Sequence, residues 1–433
     1  MSNESKFIHW FEELNSGAPN LGTRDLKISD TVDVGDRGLI ACKDLPESED
    51  CLLTISIADP RLVLSPIRAF YLLNQCTCAF TSFWKSTINS RLQDPQDILT
   101  LFFFHLKCSV DDPNCKLLQL WRPYFLMLPE SFTNVAYVAS TNSVLMKKIL
   151  PALPAPLKLA FEAQLRKLND VYKRLFIKPD SPFPPVDFAW AWSAVNSRCV
   201  YVSLQACELG SSIIDISVDY RVKFRSSANK NIAIVPFFDF FNHSPTVSVC
   251  IDVKDGIMYL KTDSKYRLGE QVFINYGKHD NLFLLCEYGF CIPNLGNPCD
   301  AIYPTYKDLV SIGNRGKLNL VLNTLQLSTS ENEYSTWKAV CISPEGPSYY
   351  LVLILFALFS EANKIPSEDI LFSLDETNRT PPVEMGLKKL RNRLLKEART
   401  SLKFLEALKD EHPFIDLTKC LLSSRIALLN CFK

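Results

Sequence analysis

Four short stretches set chemically capable groups close together along the chain. Asp239-Phe240-Phe241-Asn242-His243-Ser244-Pro245 places an Asn-His pair among aromatics, so that polar groups lie against an apolar wall. Gly269-Glu270-Gln271-Val272-Phe273-Ile274-Asn275-Tyr276-Gly277 ends a strand-like run in Tyr-Gly, and Glu287-Tyr288-Gly289-Phe290 repeats the Tyr-Gly step. Phenol hydroxyls among aromatic rings can orient a nitrogen, and ring faces tolerate a cation. Nearer the start, Gly35-Asp36-Arg37-Gly38 offers two glycines where backbone can approach a ligand closely. Each stretch alone has a plainer reading. His243 alone is a hydrogen-bonded core histidine, aromatics that close strands are core, and Gly35 to Gly38 is a β-turn. That turn has neither the G-x-G-x-x-G spacing of a dinucleotide fold nor the G-K-[ST] of a P-loop. The fifteen cysteines include no C-x-x-C pair, and Cys76 and Cys78 stand one residue apart without matching partners. They are expected to be reduced buried thiols, with no metal bound.

In combination the stretches carry more. An Asn-His-Ser turn, then a Gly-Glu-x-Val-x-Ile-x-Tyr-Gly strand, then Tyr-Gly-Phe resembles the C-terminal half of a SET domain. Gly35 to Gly38, followed by Leu39-Ile40-Ala41, is similar to the N-terminal cofactor turn, and Trp190-x-Trp192 with Ser197-Arg198 to the segment that resumes the domain after an insert. The whole chain resembles the Rubisco large-subunit methyltransferase class. Within it, the group called SET-domain-containing protein four shares Asn242-His243-Ser244-Pro245, Tyr276-Gly277-x-His279-Asp280-Asn281 and Gly346-Pro347-Ser348. The resemblance implies an α+β chain: a β-rich SET domain with pseudoknot-like C-terminal threading, a helical insert, and a C-terminal all-α substrate-binding domain. It implies S-adenosyl-L-methionine as cofactor and protein lysine, in a histone tail or a non-histone protein, as substrate. Tyr276 and Tyr288 would be catalytic. Arg37, Gly38, Arg198, Asn242, His243 and Tyr276 would contact cofactor, and Asp239, Tyr288 and Phe290 would line the lysine channel. For Arg198 and Asp239 a structural ion pair stands as the alternative. Related enzymes that methylate histidine in actin use a polar residue two positions after the arginine; here that position is Val200, which favours lysine. A non-catalytic SET-like peptide-binding module would lack Tyr276, Asn242 or His243, and all three are present.

The elements that must position these residues follow from pattern. β-type runs are expected from about 26 to 64, Val32-Asp33-Val34 among them, and a helical insert from about 66 to 185. Leu157, Phe161, Leu165, Leu168, Tyr172 and Leu175 recur at helical spacing there. Strand character is expected from 190 to 290, with a hairpin at Asp255-Gly256. Helices follow, so the domains are drawn at 1–297 and 298–433. The longest apolar run, Tyr349 to Phe359, is about half of a ~20-residue membrane span and is expected as a core helix. The first ten residues lack a basic start and apolar h-region, so no secretory signal is expected. Lys+Arg and Asp+Glu stand at 47 each, a balance that argues against a whole-surface grip on nucleic acid. A monomer in cytoplasm and nucleus, with no membrane and no direct nucleic-acid contact, is the expectation. The stretch 204–230, with Arg221, Lys223, Arg225 and Lys230, departs from the family pattern and leaves substrate approach on that side open.

Overall fold

The computed structural model describes residues 1–19, 22–45, 48–78, 80–81, 94–176, 185–202, 231–327, 336–360 and 380–431. The basic stretch 204–230 lies outside them. Chain contacts group the protein into two units, Met1–Phe132 with Lys167–Gly277, and Thr133–Arg166 with Lys278–Lys433.

The first unit carries the β-structure. Strands β1 (Leu26–Ser29), β2 (Gly38–Ala41), β6 (Asn242–His243) and β9 (Gln271–Ile274) form one sheet in the order β1-β2-β9-β6. Pairing is antiparallel except for β6 against β9, which run parallel with Asn242 opposite Phe273 and His243 opposite Ile274. A second sheet joins β3 (Ser48–Ser56), β8 (Ile257–Thr262) and β7 (Val249–Lys254). Its hairpin turns where expected. Asp255 and Gly256 both take positive φ, 51° and 76°, the geometry that matches the right-handed twist of the flanking strands. Strands β4 (Cys199–Tyr201) and β5 (Ile232–Ile234) pair antiparallel.

Two segments differ from what their sequence pattern predicts. Val32-Asp33-Val34 is not a strand: the Gln271 side chain accepts from Val34 N–H at 3.0 Å and donates to its carbonyl at 2.9 Å. An amide side chain thus satisfies the backbone that a neighbouring strand would otherwise pair. Strand character does not return at Trp190, because Val186–Arg198 is a helix. Every residue from Phe188 to Val195 is buried, so the helix shows no polar face and no 3.6-residue period to read. It packs against the helix Pro95–Cys108, whose N-terminus Asp94 caps by accepting from Gln96 N–H.

The second unit is helical. The apolar helix Tyr349–Phe359 is a core helix: Leu351, Leu353, Ile354 and Leu355 are buried among Leu318, Val321, Leu322, Leu390 and Leu394. Full burial of each such side chain stabilises by about 1.5–3 kcal/mol. A second cluster packs Val135, Leu157 and Phe161 of the insert with Leu282, Leu285, Leu405, Phe414 and Leu421. That apolar contact is why residues 133–166 group with the C-terminal helices. The Gly346-Pro347 pair closes a short hairpin with Ile342–Ser343, and the Ser348 hydroxyl caps the helix that follows. Among the described residues no helix is long and apolar enough to cross a membrane.

Cys76 and Cys78 do have partners, supplied from a distance: His105 and Cys115 lie beside them in the folded chain.

Candidate functional site

In the first unit, the site is built where β2, β6 and β9 meet. Asn242 on β6 reaches across to the turn before β2 and donates to the carbonyls of Val34 at 2.7 Å and Arg37 at 2.9 Å. The turn must come close for this. Gly35 has φ +83°, and a Cβ there would sit 2.9 Å from the Asn242 amide nitrogen. A Cβ on Gly38 would sit 2.6 Å from the Gln271 amide nitrogen, so neither position tolerates a side chain without displacing the clamp. Arg37 extends the other way, to Asp30 at 2.6 Å and the Met127 carbonyl at 2.9 Å.

Beyond β9 the chain turns at Asn275, whose side-chain amide donates to Val247 O at 3.1 Å and whose side-chain oxygen accepts from Gly277 N–H at 2.8 Å. Tyr276 is thereby held against the Asn-His segment at three points. Its N–H donates to His243 Nδ1 at 3.1 Å, its ring stacks on the imidazole at 5.1 Å, and its hydroxyl donates to the Phe241 carbonyl at 2.6 Å. The fold therefore brings Arg37, Gly38, Asn242, His243 and Tyr276 into one neighbourhood.

Arg198 and Asp239 form the ion pair weighed from the sequence. Arg198 Nη1 lies 3.0 Å from both Asp239 Oδ2 and the Asp239 carbonyl. The carboxylate is fully buried and accepts a further bond from the Tyr124 hydroxyl at 2.7 Å. Burial raises the Asp239 carboxyl above its ordinary range, while Arg198 and the Tyr124 hydroxyl pull it down. Burial and the Asp239 charge push the Tyr124 phenol well up, so its proton stays on. Asp239 sits in a short turn, Phe238–Phe240, entered through Phe237 at φ 72°, an uncommon conformation for an aromatic residue. The Phe11 ring stacks on Phe237 at 4.9 Å. Tyr124, Gln271 and Phe237 are site residues that the sequence reading missed. Tyr124 comes from 115 positions away, and no local pattern marks it.

Tyr288 and Phe290 belong to the second unit. Asp280 caps the turn Asn281–Phe283 by accepting from Phe283 N–H at 2.7 Å, and also accepts from the Tyr303 hydroxyl at 2.7 Å. The next residues wind more loosely, with i→i+5 bonds through Leu284–Tyr288, and stop at Gly289, which has φ +84°. A Cβ there would meet the Asn134 backbone nitrogen at 2.6 Å, so a glycine is required. The half-buried rings of Tyr288 and Phe290 lie 6.1 Å apart, with Phe283 at 6.4 Å and His279 at 6.3 Å from Tyr288. The result is an aromatic patch with a single phenol.

The chain is similar to known proteins over much of its length. It is 33% identical over 204 residues to SET domain-containing protein 4 of Mus musculus, covering 44% of this chain and 41% of the relative. The Homo sapiens protein of the same name is 26% identical over 310 residues, 67% of this chain and 63% of the relative. Ribosomal lysine N-methyltransferase set11 of Schizosaccharomyces pombe is 27% identical over 255 residues, 58% of this chain and 56% of the relative. These matches thus span between about two fifths and just under two thirds of the relatives' own length. No family model matches the chain. The crystal structure of the SET domain of LSMT bound to lysine and AdoHcy superposes over 100% of this chain and 90% of that one, with TM-score 0.57 and 17% identity. Rubisco LSMT bound to AdoMet gives TM-score 0.55 at 18% identity, covering 100% of this chain and 91% of that one. The fold is that of these SET-domain structures, and the α+β resemblance read from the motifs stands.

Proposed function

We propose that the chain is an S-adenosylmethionine-dependent protein-lysine N-methyltransferase. The observation that carries this is the three-point anchoring of Tyr276 onto the Asn242-His243 segment, beside a glycine turn clamped by Asn242. A hydroxyl so fixed is pre-oriented for a reacting group, which a phenol that merely fills the core has no need to be. The likeness to set11, and to SET structures solved with lysine, AdoHcy or AdoMet, supports the same reading.

The residues present suit the cofactor. Arg198 Nε and Asp239 Oδ1 are buried polar atoms with no hydrogen-bond partner among the described residues, so a donor and an acceptor remain for a polar ligand beside the Asn-His segment. Arg37, Gly38, Arg198, Asn242, His243 and Tyr276 would hold it. When bound, S-adenosylmethionine supplies a methyl group activated by its sulfonium. The chain's own residues must then deliver a neutral amine. Free lysine has a pKa of about 10.4, and apolar walls disfavour its ammonium form. By the resemblance, Tyr288 and Phe290 would supply such walls, and aromatic ring faces also tolerate a methylammonium product. The Tyr276 proton points at the Phe241 carbonyl, so its oxygen lone pairs serve as an acceptor for polarised N–H or methyl C–H groups. Val200 on β4 presents no polar side chain, consistent with lysine rather than histidine as acceptor. The substrate protein, histone or non-histone, is part of the same proposal. So are action as a monomer in cytoplasm and nucleus and the absence of nucleic-acid contacts.

The cofactor assignment is tested by thermal shift with S-adenosylmethionine. The wild-type chain is expected to be stabilised, and a folded variant carrying Asn242→Ala and His243→Ala to lose the shift. An undiminished shift in that variant would exclude the site.

A further inference from the structure

Away from the methyl-transfer site, four soft ligands converge inside the first unit. Cys76, Cys78, His105 and Cys115 are between 0% and 7% exposed, and their ligand atoms all lie within 4.8 Å of one another. His105 Nε2 stands 3.4 Å from Cys76 Sγ, 3.4 Å from Cys78 Sγ and 3.6 Å from Cys115 Sγ, with 3.6 Å between the Cys76 and Cys78 sulfurs. A tetrahedral ion with metal–sulfur bonds of about 2.3 Å and a metal–nitrogen bond of about 2.05 Å has edges of roughly 3.8 Å between sulfurs and 3.6 Å from sulfur to nitrogen. The three sulfur–nitrogen separations and the Cys76–Cys78 separation stand close to those edges, and the Cys115 sulfur lies within 4.8 Å of the other two sulfurs.

We propose that Cys76, Cys78, His105 and Cys115 form a closed Cys3His zinc site that fastens the helical insert. Hydrogen bonding alone accounts poorly for the cluster. One imidazole nitrogen donates or accepts one proton, yet it faces three sulfurs at bonding distance. A disulfide accounts for it no better, since the Cys76 and Cys78 sulfurs are not bonded. Soft thiolates with one imidazole in tetrahedral array select zinc, and four protein ligands with no open position make the site structural. The sulfurs also have polar neighbours. Leu118 N–H donates to Cys115 Sγ at 3.4 Å, and the Thr81 and Ser109 hydroxyls lie 3.3 Å and 3.8 Å from Cys78 Sγ. Cys115 also caps the N-terminus of the helix Lys116–Phe125, where negative charge is favoured.

The ligands come from three elements: Cys76 at the end of the helix Pro66–Gln75 with Cys78 just after it, His105 on Pro95–Cys108, and Cys115 at the head of Lys116–Phe125. The last of these carries Tyr124, which bonds Asp239. The ion would therefore brace the helix behind the Arg198–Asp239 pair without touching the reacting groups.

The test is metal analysis of the full chain, expressed with zinc present and purified under reductant without chelator. About one zinc per chain is expected, with X-ray absorption showing three sulfurs at about 2.3 Å and one nitrogen at about 2.0 Å. Cys250→Ser, at an exposed cysteine outside the cluster, should keep the metal; Cys115→Ser should lose it. Because Cys115→Ser can fail to fold, mercurial titration of the wild type with a zinc indicator supplies a second readout, in which zinc is released as thiols are capped. Folded wild-type protein with under ~0.1 zinc per chain, and a melting temperature that added zinc does not move, would overturn the site. So would a Cys76–Cys78 disulfide found by mass spectrometry.

Discussion

Tyr276 spends its proton on the Phe241 carbonyl at 2.6 Å, which fixes where the phenol oxygen stands before any substrate arrives. Tyr276→Phe keeps the ring and its stacking on His243, so the loss in stability is one hydrogen bond, on the order of 1 kcal/mol. Interactions realised only in the transition state lower turnover without weakening ground-state binding. The variant should therefore bind cofactor nearly as the wild type does and turn over slower by roughly 10² or more. Methyl transfer beside calorimetric cofactor titration on one preparation checks this; near-normal turnover would remove Tyr276 from the mechanism. Asp239→Ala makes the opposite kind of change. It strands the Arg198 guanidinium beside the unpaired Tyr124 hydroxyl, and deleting one partner of a buried pair costs about 3–5 kcal/mol. Urea unfolding should show that loss, whereas Tyr124→Phe should cost only about 1–2 kcal/mol. Equal losses in the two variants would mean that the ion pair is not what the pocket depends on.

At the scale of elements, legibility depended on whether the burying partner is local. Asp255-Gly256 announces its hairpin because the turn chemistry lies in two adjacent residues. The motif residues of the site were legible through the resemblance, since Asn242-His243 on β6 and Tyr276 just past β9 lie in short recognisable stretches that the β6–β9 pairing brings together. Val186–Arg198 hides its helix because both sides are buried, and Val32–Val34 hides its loop because the side chains of Gln271 and Asn242 stand in for a strand. The Cys-His cluster escapes a spacing rule because its last two ligands arrive from helices far along the chain. Helix packing also sets a pH response. Burial lifts the Asp97 carboxyl to about 6, with Arg174 pulling it back and Asp94 adding to the rise. Unfolded, the same group titrates near ~3.9, so between these values the folded state binds more protons and this contribution to stability falls as pH rises. Asp97→Asn should remove that decline. Urea midpoints from pH 4 to pH 7 for both proteins give the answer: a difference between the two curves that does not change with pH would refute it.

At the scale of the whole molecule, residues 133–166 fold with the C-terminal helices through one apolar cluster. A chain ending near Gly296 would uncover Val135, Leu157, Phe161, Leu282 and Leu285, which lose Leu405, Phe414 and Leu421 as neighbours. Losses of 2–5 kcal/mol are usual for a single large core side chain, so roughly that cost several times over is expected. The truncated protein should aggregate or melt without cooperativity. A soluble, cooperatively melting truncation would show that the insert helices stand alone. The central claim is methyl transfer to lysine, and one measurement addresses it most directly. The purified full chain is incubated with S-adenosylmethionine carrying a labelled methyl group and a lysine-bearing protein extract, and the labelled proteins are hydrolysed to amino acids. Label recovered as methylated lysine is the predicted result. Label in methylhistidine, or none in protein while the cofactor still binds, would contradict it.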